Sequence, residues 1–168
     1  PILTNNQFEK FVSFFDKNNK TIDCTFNSDE DIESKLNSIK QEAEIYVRQG
    51  VTQIILSDKN VSKENYPVPM LLCIGAVHTH LTKMKLRGYV SINVQTGEAL
   101  DTHSFATLIG VGATTVNPYL ALDSLYQRFE KKLFGKFLYE ECVERYVKSV
   151  NLGPVSYTHL TLPTNREV

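Results

Sequence analysis

The side chains with chemistry to offer stand where short apolar runs end. The run VTQIIL at 51–56 stops at Ser57 and Asp58. YVSINV at 89–94 leads into Gln95, Thr96, Gly97 and Glu98, and the run at 114–116 meets Asn117, Pro118 and Tyr119. Carboxylates, amides and a phenol gathered at one end of a sheet could hold a polar substrate by hydrogen bonds or move a proton. In parallel α/β folds the C-terminal strand ends carry such groups. Ser57, Asp58, Glu98, Asn117 and Tyr119 are therefore the strand-end candidates, for catalysis or for contact with a neighbouring domain. The competing role for each is a plain turn or loop cap. His103 is a further candidate, as an acid or base, but it would need a nucleophile beside it and none is marked. With Asp101 and Thr102 in front of it, helix capping is the alternative.

Three other patterns invite a site and fit one badly. His78 and His80 are two apart, which turns their rings to different sides of a helix, whereas shared metal ligation needs a spacing of three or four. They are expected to flank a buried stripe and hydrogen-bond to their neighbours. Gly110 and Gly112 lack a third glycine where Thr115 stands, and they follow a helix where a phosphate loop would precede one. They read as a helix stop and a close backbone approach, not as a flavin-binding loop. Cys24, Cys73 and Cys142 are odd in number, far apart and free of any CxxC pair. That argues against a disulfide framework, a zinc site or an iron–sulfur site, and for reduced intracellular thiols.

The elements that must position these residues alternate. A leading amphipathic helix over 5–15 carries Phe8, Phe11, Val12 and Phe15, and a strand follows at 21–26. A helix begins behind Ser28 as N-cap, buries Ile32, Leu36, Ile39 and Ala43, and stops at Gly50. After the strand at 51–56, a polar loop reaches Pro69, the predicted first residue of a core helix running to about Lys85 with Met70, Ile74, Val77 and Leu81 on one face. Then come a strand at 89–94, a short helix at 104–109, a strand at 114–116 and helices at 120–133 and 136–150. Alternation of this kind predicts an α/β fold of parallel βα units with right-handed crossovers. Four such units make half of a TIM barrel, and an open sheet is equally compatible.

Length and charge narrow the class. The 168 residues suit one domain, and a formal net charge of -1 gives no footprint for nucleic acid or an acidic membrane. No apolar run approaches a bilayer span and the first residues lack a signal-peptide pattern, so a soluble chain is expected. The start at Pro1, without an initiator methionine, suggests a processed or partial chain. The character changes at the other end, where VSYTHLTLPT resembles the translation of a transposase-type sequencing adapter. Residues 154–168 are accordingly expected to be a non-native, disordered tail behind a domain at 1–153.

One family shows the same succession of motifs. From Gln53 onward the chain has a strand ending in LSD, a Pro-x-Pro helix start, GAVHTHL, an Arg before the next strand, GEA, HSFATLIGVGA and NPYLA. This run resembles the central domain of the large subunit of glutamate synthase. PILTNNQFEKF and ERYVKSVNLG resemble the family's flanking segments, so the likeness covers nearly all of 1–153. Departures are Lys59-Asn60 where the family often has Arg-Gly, Thr79 where it has His, and Val111 where it has an aromatic residue.

The resemblance implies a domain that links an amidotransferase domain to an FMN- and iron–sulfur-bearing barrel in the same polypeptide. In that family L-glutamate is made from L-glutamine and 2-oxoglutarate by amidotransfer and flavin-dependent reduction. Electrons come from NADPH, NADH or ferredoxin, through an electron-donor subunit where one exists. The implied role is a rudimentary, incomplete TIM-barrel-like domain, structural and interdomain, inactive alone and holding no cofactor or metal of its own. Neither nucleic acid nor membrane is an implied partner, and the location is the cytoplasm or, in a eukaryote, an organelle stroma. The family's catalytic cysteine, flavin contacts and cluster cysteines match no position here. Apart from the resemblance, a small α/β enzyme using Asp58, Glu98 or His103 and a free-standing binding module stay open.

Overall fold

The computed structural model describes residues 2–160. Thr4 opens it with a reciprocal cap: its hydroxyl accepts from Gln7 N and the Gln7 side chain accepts from Thr4 N, so α1 (Asn5–Phe15) starts where two orphan donors are satisfied. Then follow β1 (Asn19–Asp23), β2 (Thr25–Asn27), α2 (Ile32–Arg48), β3 (Gln53–Ser57), β4 (Asn65–Pro67), α3 (Met70–Lys83), β5 (Ser91–Gln95), α4 (Thr102–Val111), β6 (Thr115–Asn117), α5 (Tyr119–Glu130) and α6 (Tyr139–Leu160). The domain boundary expected after 153 falls inside α6, and residues 161–168 of the proposed tail lie outside the described residues.

The architecture is mixed α/β, with four parallel strands in the order β1-β3-β5-β6. The sheet is open; it is not closed into a barrel. Its register separates two faces, because alternate residues along a strand point opposite ways. The row Ile22, Leu56, Val94, Val116 is fully buried, and with Ile54 and Ile92 it forms the apolar face. Ile39, Ala43 and Val47 of α2 and Cys73, Ile74, Val77 and Leu81 of α3 belong to the same core. The opposite face carries the rows Thr21, Ile55, Asn93, Thr115 and Asp23, Ser57, Gln95, Asn117. Asn93, with no exposed surface, donates to Gln53 Oε1 at 3.0 Å and accepts from Thr115 at 2.8 Å, so this polar face satisfies itself sideways. Beyond β6, Ile2 bridges Val116 in parallel and Leu3 N donates to Val116 O at 2.9 Å, which covers that sheet edge.

Several boundaries moved, each for a local reason. The strand expected at 21–26 divides at Cys24, whose N–H goes to Ser57 O while its carbonyl accepts from Val68 N; β2 then leaves the sheet and pairs antiparallel with β4. Asp31 and not Ser28 caps α2, accepting from Ser34 N at 3.1 Å, because a turn from Asn27 to Glu30 delays the helix. Pro69 is the N-cap of α3 and not its first residue. Asp101 caps α4 through Ser104 N at 2.8 Å and starts the helix earlier than expected. α5 stops at Glu130, before the expected Leu133, where Lys132 turns to positive φ.

The two histidines take structural partners. His80 Nε2 lies 2.6 Å from Glu44 Oε2, tying α3 to α2, and Arg48 holds the other Glu44 oxygen. His78 Nδ1 accepts from Arg87 Nε at 3.1 Å, and the same guanidinium donates to Val90 O at 2.6 Å and to Gly112 O at 2.9 Å. Arg87 thus fastens the end of α3, the approach to β5 and the end of α4 at one point. Gly112 follows α4 at φ 128°, and a Cβ there would meet His78 Nδ1 at 2.5 Å, whereas a Cβ on Gly110 would meet nothing within 4 Å. The two glycines therefore respond oppositely to alanine in urea unfolding. Gly112→Ala is expected to lose about 2 kcal/mol or more, and Gly110→Ala, inside α4, to gain roughly 0.5–1 kcal/mol. Equal effects would remove the His78 contact as the reason.

Candidate functional site

The polar row Asp23, Ser57, Gln95, Asn117 marks the C-terminal end of the sheet. Asp23 accepts from Asn60 Nδ2 at 2.9 Å, and the other three members are linked in series. Ser57 Oγ donates to Gln95 Oε1 at 2.8 Å, Gln95 Nε2 donates to Asn117 Oδ1 at 3.3 Å, and Asn117 Nδ2 donates to Leu3 O and to Asn5 Oδ1, both at 3.0 Å. Ser57 Oγ also accepts from Lys59 N at 3.3 Å, the loop-capping role open to it from sequence. A cleft of about 380 Å³ lies here, lined on one side by Asn5, Phe8, Glu9 and Val12 of α1 and on the other by Lys59, Gln95 and Asn117.

Asp58 stands one residue beyond the row and is 2% exposed. Its carboxylate accepts from Thr96 Oγ1 at 2.5 Å, from Gly97 N at 3.1 and 3.2 Å to its two oxygens, and from the Tyr119 hydroxyl. Burial and the Asp58 charge push the Tyr119 phenol well above its ordinary range, so it stays a donor. Thr96 Oγ1 in turn accepts from Glu98 N at 3.1 Å, and Glu98 Oε2 accepts from Met70 N at 3.0 Å, giving α3 the cap that Pro69 cannot supply. Desolvation raises the Glu98 carboxyl above its ordinary value; the Met70 N–H opposes the shift and the Asp58 charge adds to it.

The structure thus brings together Ser57 and Asn117 through Gln95, and Asp58, Glu98 and Tyr119 through Thr96 and Gly97. His103 is exposed in the first turn of α4, beside the capping Asp101. Thr96, Gly97, Asn5 and Asp23 belong to this end and were not singled out from sequence. The position of Thr96 directly after a strand was the available signal for it; Asn5 and Asp23 needed the register. Among the described residues no group of three or more His, Cys, Asp or Glu side chains is placed to hold a metal ion. No helix among them is long and apolar enough to cross a membrane.

A buried carboxylate satisfied by fixed donors supports stability only while all its acceptor sites remain. Asp58→Asn turns one acceptor into a donor that faces Thr96, Gly97 or Tyr119, and it is expected to cost about 2–4 kcal/mol in urea unfolding. A loss below about 1 kcal/mol would show that Asp58 does not hold this loop. Glu98 gives a pH signature. Its folded pKa is raised, so the folded state binds the proton more readily than the unfolded one. The stability it contributes is present below the ordinary value of 4.5 and is lost as pH rises through the raised value. Glu98→Gln keeps an acceptor for Met70 N and should flatten that decline in a pH series of melting curves. Identical slopes in the two proteins would exclude Glu98 as its source.

Comparison with known proteins places this arrangement. The family model described as the glutamate synthase central domain matches residues 1–155. The large chain of NADPH glutamate synthase from Azospirillum brasilense is 42% identical over 156 residues, covering 91% of this chain and 10% of that protein. The corresponding Bacillus subtilis protein is 41% identical over 157 residues, covering 92% and 10%. The chloroplastic ferredoxin-dependent glutamate synthase of rice is 34% identical over 168 residues, covering 91% and 10%. The chain spans about a tenth of the length of these relatives. With the family match running through every element that builds the strand-end network, from α1 to the body of α6, the chain belongs to the glutamate synthase central domain family.

Proposed function

We propose that this chain is the central linking domain of a glutamate synthase large chain, with a structural and interdomain role. Its partners in that reading are the amidotransferase and FMN-binding domains of the same polypeptide, and the parent makes L-glutamate from L-glutamine and 2-oxoglutarate. FMN and the iron–sulfur cluster then reside in the parent's other domains, and NADPH, NADH or ferredoxin supplies the electrons. The observation that carries the reading is the internal engagement of the strand-end groups. Asp58 is taken up by Thr96, Gly97 and Tyr119, Glu98 by Met70 N, and Asn117 by Leu3 and Asn5. A general base or nucleophile needs a lone pair or proton to give to a substrate, and those of the buried Asp58 are spent on fastening loops to strands. The same engagement disfavours the alternative of a small enzyme working through Asp58.

The purified chain, mixed with L-glutamine, 2-oxoglutarate and either NADPH or reduced ferredoxin, is expected to form no glutamate above the protein-free blank. Glutamate formed in proportion to added chain, as measured by mass spectrometry, would overturn the structural role.

A further inference from the structure

Cys24 and Cys73 are far apart in sequence and meet in the core. Both are free and have no exposed surface. The Val68 peptide touches both residues: its N–H donates to Cys24 O at 2.8 Å, and Cys73 Sγ lies 3.9 Å from its carbonyl oxygen. Cys24 Sγ in turn donates to Ile22 O at 3.7 Å, and the Cys73 thiol is the neighbour that acts most strongly on the Cys24 thiol. The third thiol, Cys142, lies on α6.

The pair sits at the root of a two-stranded ribbon that stands outside the main sheet. β2 begins one residue after Cys24 and β4 ends one residue before Val68, and these strands pair only with each other, over three residues each. A two-stranded ribbon of that length is marginal by itself and belongs to the easily opened end of a structure's stability range. Tyr66 and Pro67 on β4 are already exposed. Opening the ribbon pulls at both cysteines, because each is joined to it directly or through Val68.

We propose that Cys24 and Cys73 are a disulfide-forming pair, oxidised by hydrogen peroxide when the β2–β4 ribbon opens, and that the bond then pins the ribbon at its root. One thiol, as its thiolate, attacks the peroxide; the O–O bond breaks, one water leaves and a sulfenic acid forms. The second thiol attacks that sulfur, the S–O bond breaks, the S–S bond forms and a second water leaves. Two thiols lose two electrons and two protons, and hydrogen peroxide is reduced to two waters. Contact with Cys73 and burial push the Cys24 thiol well above its ordinary range, so the closed fold keeps it protonated and unreactive. The reaction therefore waits for the opening.

The test uses the full chain, reduced, exposed to hydrogen peroxide, blocked with an alkylating agent and cut with trypsin. The expected product joins fragment 21–35 to fragment 64–83 and is two hydrogens lighter than their sum, while thiols counted in denaturant fall from three to one. Dithiothreitol restores all three. Cys142→Ser leaves the cross-link in place and Cys73→Ser abolishes it. In the oxidised chain, tryptic cleavage after Lys63 before full digestion slows by at least about threefold, and reduction reverses this. Three thiols surviving a dose that oxidises free cysteine in the same tube would overturn the proposal. So would a cross-link through Cys142, separate sulfinic acids on Cys24 and Cys73, or cleavage at Lys63 that ignores the redox state. The mapping on the unsubstituted chain stands even if Cys73→Ser fails to fold.

Discussion

A carboxylate that is 2% exposed must find its partners inside the protein, and the partners of Asp58 determine how the βα units are joined. Thr96 and Gly97 come from the loop after β5, and Tyr119 from the first turn of α5, so one side chain at the end of β3 holds the exits of the next two strands. The chain of contacts continues outward. Thr96 receives Glu98 N, Glu98 receives Met70 N, and the start of α3 is thereby fixed to the same loop. Fully satisfied, such a network specifies one geometry; with one member missing it leaves donors buried without acceptors. That asymmetry, more than the strength of any single bond, makes the strand ends rigid.

The same logic explains why the sheet has two unlike faces. On one, Ile22, Leu56, Val94 and Val116 make a row that only burial can stabilise, and α2 and α3 supply it. On the other, Asn93, Thr115, Ser57, Gln95 and Asn117 bond along the sheet from strand to strand. A polar face of this kind needs no thick apolar layer above it, and α1 contributes Phe8 and Val12 beside the amides and leaves a cleft. The pattern is that of half a barrel with its interior laid open, and the pairing of Ile2 with Val116 covers the edge where a fifth barrel strand would stand.

Much of this was legible in the sequence. The alternation of apolar strands with amphipathic helices gave the parallel α/β class, the spacing of Met70, Ile74, Val77 and Leu81 gave the buried face of α3, and the polar endings of the strands gave Ser57, Asp58, Glu98, Asn117 and Tyr119. What escaped depended on partners remote in sequence. The β2–β4 ribbon exists because Cys24 is gripped by Ser57 O and Val68 N, and no periodicity in three residues announces that. Ser28 and Asp31 are both good caps, and only the turn at 27–30 chooses between them. Thr96 looks like an ordinary turn residue until the depth of Asp58 is known.

Three of the motifs that mark the family here are joined by one piece of geometry. His78, Arg87 and Gly112 come from three separate motifs and meet in one place: the guanidinium donates to the imidazole and to the Gly112 carbonyl, and the imidazole occupies the space a side chain at 112 would need. Each identity depends on the other two. An Arg is required because one group must donate in three directions, a His because the acceptor must also be flat, and a Gly because φ is 128° and the ring is too near. A packing arrangement can therefore demand residue patterns as specific as those of an active site. The constraint is the angle at which α3, β5 and α4 meet, and three side chains far apart in sequence must agree to set it.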